Sequence, residues 1–236
     1  LLDNLPSGVG LDGDEIEERF FNAARNFALE RDCEKATLRL SEYILNYDQG
    51  RFLAEAHFFL GNCAYDQNNV AEARRAFEYV LKQPISDYTE SAALGAATIA
   101  WNAKDVSAAL EHYQILEAVS VLKENKLEAR IGLMRCYFTI EAFEQAKGYA
   151  DQVISDPQTP EDIQRTARYW KAKINFSNAS YDEAQSDLML IASFGGERGA
   201  ECEYLLCTYP FRSQNFQETE ASVFRLIDKF AAFDIW

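Results

Sequence analysis

Two histidines, His57 and His112, and five cysteines, Cys33, Cys63, Cys136, Cys202 and Cys207, are the side chains best suited to nucleophilic, acid–base or metal chemistry in this 236-residue chain. A Ser/His/Asp or Cys/His centre needs its partners within hydrogen-bond reach of one another. A metal site needs Cys, His or carboxylates in a cluster. Neither spacing is present: the histidines stand 55 residues apart and no CxxC pair occurs. Each cysteine falls in an apolar helical pattern, where a free thiol packs as a small hydrophobe. All five are therefore expected to be unpaired, which fits a reducing, cytoplasmic compartment. Gly195, Gly196 and Gly199 lack the Lys-Ser/Thr that completes a phosphate loop, and read as punctuation between helices. The triplets at Asn175–Ser177 and Asn178–Ser180 match the glycosylation pattern, but such triplets are common by chance. Adjacent carboxylates such as Glu17 and Glu18 carry no acid–base specificity on an acidic surface. These residues predict no catalysis, no metal and no cofactor.

Charge narrows the partners. The formal net charge is −15, from 38 acids and 23 bases. Phosphate backbones and anionic lipid surfaces both demand clustered Lys and Arg, so neither nucleic acid nor a membrane surface is expected. Hydrophobic residues at 48% are ample for a folded core. No run of 18 apolar residues occurs, so no membrane insertion is expected.

The elements that would position any site are set by a repeat. Ala36, Ala73, Ala109, Ala146, Ala184 and Thr219 are separated by 37, 36, 37, 38 and 35 residues. Three positions before each stands an apolar residue: Cys33, Val70, Val106, Phe143, Tyr181 and Phe216. Four positions after stand Leu40, Phe77, Tyr113, Ala150, Leu188 and Val223. A fixed period in this range marks a repeat array, in which each unit leans on its neighbours. The clearest unit runs from Ala54 to Pro84. Leu60, Gly61, Ala64 and Tyr65 fall in a first helix, and Asp66 to Asn69 form a polar turn. Val70, Ala73, Phe77 and Val80 make one face of a second helix, which Pro84 stops.

This unit resembles the tetratricopeptide repeat (TPR), through Leu60, Gly61, Tyr65 (one place late), Ala73, Phe77 and Pro84. The resemblance covers roughly residues 16–230. It implies an all-α fold, a right-handed α-α superhelix or solenoid of about six helix-turn-helix repeats. The acidic, aromatic-rich texture is similar to Bacteroidetes-type multi-repeat envelope proteins, which implies a periplasmic or envelope-associated location. His57 takes a place where the family often puts a buried aromatic, which implies packing. The domain layout expected is an irregular acidic lead-in at 1–15, the solenoid at 16–230 and the start of a truncated or capping helix at 231–236. Phe230, Phe233, Ile235 and Trp236 make that end apolar, so self-association through it is expected.

In proteins of this kind the first helices of the pairs line the concave side. One row there is Tyr65, Trp101, Phe138, Phe176 and Phe211; seven residues earlier lie Phe58, Leu94, Ile131, Tyr169 and Tyr204. Between them sit Asn62, Thr98, Arg135, Lys173 and Thr208. Such a surface suits an extended or helical peptide, and Arg with aromatics is the usual anchor chemistry. The competing reading packs most of these aromatics as core. The expected partner-binding residues are Asn62, Tyr65, Trp101, Arg135, Phe138, Tyr169, Lys173 and Phe176. Only Asn62 fits the chaperone-type carboxylate clamp known in the family, so that clamp is not expected. The function expected is a protein-interaction scaffold that binds a peptide or protein. A glycan- or small-ligand-binding module of a bacterial cell envelope is the alternative.

Overall fold

The computed structural model describes residues 12–233. Among them there are twelve helices and no strand: α1 (Gly13–Leu29), α2 (Cys33–Asn46), α3 (Leu53–Asp66), α4 (Val70–Leu81), α5 (Thr89–Asn102), α6 (Val106–Val119), α7 (Lys123–Thr139), α8 (Phe143–Ser155), α9 (Glu161–Ser177), α10 (Tyr181–Phe194), α11 (Gly196–Arg212) and α12 (Phe216–Phe230). The chain forms two compact units, Leu1–Val121 with α1 to α6 and Leu122–Trp236 with α7 to α12. Within each unit every helix packs on the next one along the chain. Each even-numbered helix begins at the apolar residue that stands three before the repeat mark. Of the expected lead-in, residues 1–11 lie outside the described residues, and α1 already starts at Gly13. Ile235 and Trp236 also lie outside them. Residues 231–232 make a turn, and Phe233 packs against Ala200, Cys207, Leu226 and Phe230.

The turn inside each pair is built the same way six times. It is always three residues long, and its middle residue is left-handed: Arg31, Asn68, Lys104, Glu141, Ala179 and Gln214 have φ between 59° and 61°. None is glycine, so each turn carries about 1–2 kcal/mol of backbone strain. Paired backbone hydrogen bonds offset it. Asn68 N–H donates to Tyr65 O at 2.9 Å, and Asn69 N–H donates to Ala64 O at 2.8 Å. This is a Schellman closure of the first helix, and equivalent bonds recur in all six turns. The closing residue is also the N-cap of the second helix. Asp32, Asn69, Asp105 and Asn215 use their side chains to accept from the N–H three residues on. Ala142 has no side-chain oxygen, and Ser180 makes no such bond.

The alanine marks lie where the two helices of a pair meet. Ala36, Ala73, Ala109, Ala146 and Ala184 are fully buried, whereas Thr219 is half-buried. Phe77 on α4 fills the space between the neighbouring first helices. A Cβ added at Gly61 on α3 would lie 2.7 Å from the Phe77 ring, and one at Gly95 on α5 would lie 2.6 Å from it. Those glycines are the hole into which Phe77 fits. In the first pair, the buried Glu17 carboxylate accepts from Tyr43 OH and from Arg51 N–H, each at 2.7 Å. Tyr43 Oη in turn accepts from Phe52 N–H at 3.1 Å. Burial works to raise the Glu17 carboxyl, but these bonds and the Arg51 charge outweigh it and hold it below its usual range.

One expectation about chemistry is overturned. Cys33, at the start of α2, and Cys63 on α3 form a disulfide, with Cα atoms 5.0 Å apart. Their separation of 30 positions spans most of a repeat, so the fold brings them together although their linear spacing gives no sign of it. Unpaired cysteines therefore no longer argue for a reducing compartment. Cys136, Cys202 and Cys207 are free and buried, and burial pushes their thiols up to about 11, 12 and 11.

Three substitutions test this account. Ala142→Asp supplies the missing cap of α8 and is expected to stabilise the fold by about 0.5–2 kcal/mol, read as a higher urea midpoint. Gly→Ala should have opposite signs at two sites. At Gly95 it drives a methyl into Phe77 and should cost about 1–3 kcal/mol. At the exposed helical Gly148, where an added Cβ meets nothing within 4 Å, it should gain about 0.5–1 kcal/mol. Equal shifts for the two would contradict the packing described.

Candidate partner-binding site

The row of candidate residues divides between the two units. Asn62, Tyr65 and Trp101 belong to α3 and α5 of the first unit; Arg135, Phe138, Tyr169, Lys173 and Phe176 belong to α7 and α9 of the second. In the first unit Asn62 is exposed, Tyr65 is 44% exposed and Trp101 is half-buried. In the second unit Phe211, the next member of the aromatic row, is 60% exposed. Phe176, by contrast, is buried, edge-on to Tyr181 with ring centroids 5.1 Å apart. Ile131 and Tyr169, from the earlier row, are buried too. The row is thus part core and part surface.

Three of the five candidates in the second unit, Phe138, Tyr169 and Lys173, belong to one polar–aromatic cluster. Lys173 Nζ lies 2.7 Å from Glu201 Oε1 on α11 and donates to Tyr169 OH at 3.3 Å. The same ammonium lies 5.8, 5.3 and 5.6 Å from the ring centroids of Phe138, Tyr169 and Trp170. Phe138 and Trp170 meet edge to face at 4.7 Å. Tyr169 donates a short hydrogen bond to Glu201 Oε2. Burial works to raise the Glu201 carboxyl, yet the hydrogen bonds from Lys173 and Tyr169 prevail and hold it low. Burial, reinforced by Glu201, pushes the Tyr169 phenol well above its usual range. Cation–π attraction and a partly buried ion pair hold α7, α9 and α11 together here. Phe176 has a cation of its own, with the Arg212 guanidinium 5.5 Å above its ring.

Lys173 therefore already has its counter-charge inside the protein. Arg135 does not. Its side chain is half-buried, and no carboxylate among the described residues lies within ion-pairing distance of it. Two members of the cluster, Glu201 and Trp170, were missed from the sequence. Trp170 adjoins Tyr169 and could have been found as its neighbour. Glu201 stands 28 residues beyond Lys173, a spacing that carries no signal without the helix register.

Both histidines are packing residues. His57 stacks on Tyr79 with centroids 3.8 Å apart, and its Nδ1 is buried without a hydrogen-bond partner. Burial lowers it to about 4. His112 is buried beside Arg74 and Asp105 and is lowered for the same reason. Asn175 is 2% exposed, so the first glycosylation triplet is closed to a glycan. No helix among the described residues is long and apolar enough to cross a membrane.

A tetratricopeptide repeat protein from Parabacteroides merdae superposes with a TM-score of 0.56 at 15% identity, covering 90% of this chain and 79% of its own. BtubC (BKLC) from P. vanneervenii gives 0.57 at 15% identity, with 93% of each chain covered. This chain has the fold of the tetratricopeptide-repeat proteins. PilF of Pseudomonas aeruginosa shares that TPR fold, with a TM-score of 0.55 at 14% identity over 93% of this chain and 94% of its own. No protein-family profile matches the sequence. The TPR fold explains why the three-residue turns and the alanine marks keep step along the chain.

The histidines give a pH test. His57 is lowered in the fold, so the unfolded chain takes up its proton first as pH falls. Its contribution to stability is full above its ordinary value of 6.5 and is lost towards about 4. The urea midpoint is expected to fall across that window. His57→Phe, which keeps the stack on Tyr79, should flatten the fall, and an unchanged pH profile in that variant would contradict the assignment.

Proposed function

We propose that this chain is a non-catalytic scaffold that binds a peptide or protein through residues of its first helices. The observation that supports it is the unequal burial of those residues. Tyr65 and Phe211 keep large aromatic faces in solvent, and Arg135 keeps a guanidinium without an acid partner in a chain of net charge −15. Aromatics and Arg are the commonest anchors of protein interfaces. Repeat folds present such residues along extended surfaces. The glycan alternative needs a flat tryptophan open to solvent. Trp170 instead has Phe138, Tyr169 and Lys173 around it, so the observations favour a protein partner. The exposed apolar face of α12, with Phe216, Phe224 and Ile227, is read as the surface available for self-association.

Site-directed photo-crosslinking in the native cell tests the reading. A crosslinker at Phe211 of the second unit is expected to trap a partner, and one at the exposed Glu144 of α8 is not. Arg135→Glu should cut that yield about tenfold or more and leave the melting temperature unchanged. Lys173→Glu should lower the melting temperature as well, because it sets like charges against Glu201. Equal yields from Glu144 and from Phe211 would overturn the proposal.

A further inference from the structure

A second feature of the second unit takes no part in the aromatic–lysine cluster beyond sharing Tyr169. A cavity of 330 Å³ opens where the first turns of α9 meet the connection from α10 to α11. Asp162, Arg165, Thr166 and Tyr169 line it from α9, with Ile191, Phe194, Gly195 and Arg198 opposite. Arg165 lies over the Phe194 ring at 4.5 Å, and Arg198 lies over the Tyr169 ring at 5.4 Å. Arg198 Nη1 also donates to Thr166 Oγ1 at 2.9 Å. Neither guanidinium pairs with a carboxylate among the described residues, although neighbouring Arg168 pairs with Asp187 at 3.0 Å. Stacking on a ring occupies the face of a guanidinium and leaves the N–H donors at its edge for a planar acceptor. The Asp162 carboxylate, at the same cavity, has no cation partner among the described residues either. Gly195 is the N-cap of α11 and offers no side-chain acceptor, so the backbone N–H groups there add positive character to the same wall.

We infer that this cavity is a binding site for a free amino acid with an apolar side chain. Two guanidiniums suit the α-carboxylate, which Arg binds in a bidentate manner. Asp162 suits the α-ammonium. Ile191, Phe194 and Tyr169 supply the apolar wall for the side chain. The volume decides the size of the ligand: 330 Å³ lies at the low end of small-molecule sites, roughly 300–1,000 Å³. A chain terminus would satisfy only one of the two charged ends, because it carries only one of those charges. The inference does not rest on the partner-binding reading. Arg165 and Arg198 are outside the first-helix row, and Arg135 is not in the cavity.

Isothermal titration calorimetry on the whole chain tests it, with L-phenylalanine and L-leucine as probes at low salt. One molecule per chain is expected to bind. N-acetyl-L-phenylalanine, which lacks the ammonium, and L-phenylalaninamide, which lacks the carboxylate, should each bind about tenfold more weakly or worse. The double variant Arg165→Gln, Arg198→Gln should abolish binding. Asp162→Asn should remove the preference for L-phenylalanine over its N-acetyl form and leave the N-acetyl affinity unchanged. Melting curves establish that both variants fold. Arg135→Glu should leave the titration unaltered, so failure of the scaffold reading and failure of this one are separable. Absence of heat with both amino acids at millimolar concentration would overturn the site. So would equal affinity for the free and blocked forms. Binding of inorganic phosphate in place of the amino acids would show a plain anion site and overturn it too. Binding of a peptide ending in phenylalanine as tightly as the free amino acid would assign the cavity to a chain terminus, and would likewise overturn the proposal.

Discussion

A methyl group is the side chain that the crossing of two paired helices admits here. Ala36, Ala73, Ala109, Ala146 and Ala184 are all fully buried, and a larger group at such a contact would force the backbones apart. The close approach has consequences on both sides. It lets Phe77, one turn further on, reach past its own pair to Gly95 of the next, while Leu40 and Leu188 at the same place in their repeats are buried. It also fixes how the chain turns between the helices, since a short, invariant turn keeps the two faces in phase. In the second and third pairs the same economy extends to Gly61 and Gly95, which make room for a single phenyl ring.

How much of this was legible in the sequence depended on whether a feature was local. The alanine period and the apolar residues around it gave the helix pairs, and the structure makes the apolar residue three before each mark the first of its second helix. The stop at Pro84 agrees with α4 ending at Leu81. The left-handed turn residues were not legible as a set, because Arg, Lys, Glu, Ala and Gln carry no preference for that conformation and only Asn68 is of a type enriched there. The disulfide was hidden for a different reason. Cys33 and Cys63 each sit within an apolar helical pattern, and only the stacking of one pair on the next puts them side by side.

The candidate site shows the same boundary between local and distant information. Spacing alone placed Phe138, Tyr169, Lys173 and Phe176 on one kind of helix face, and Phe138 and Tyr169 do converge on the Lys173 ammonium. Spacing could not separate an anchor that faces solvent from one that is already satisfied. Lys173 looked available until Glu201 was placed beside it, 28 residues away in the chain. Arg135 looked no different, and no carboxylate among the described residues pairs with it. Burial and charge pairing, which depend on the neighbouring repeat, decide between the two.

The three-residue turns also determine where this protein can change length. Inside every pair, one residue ends the first helix and caps the second, so the turn has no spare position. The connections between pairs range instead from a single residue at Gly195 to the seven residues of 82–88. Helix lengths vary as well, so the repeat length stays within 35 to 38 residues while the links differ more widely. Insertions, tags or protease sites therefore belong in the longer pair-to-pair links such as 82–88. The hairpin turns are closed to them, and lineages of this protein should keep those turns free of gaps while the links drift.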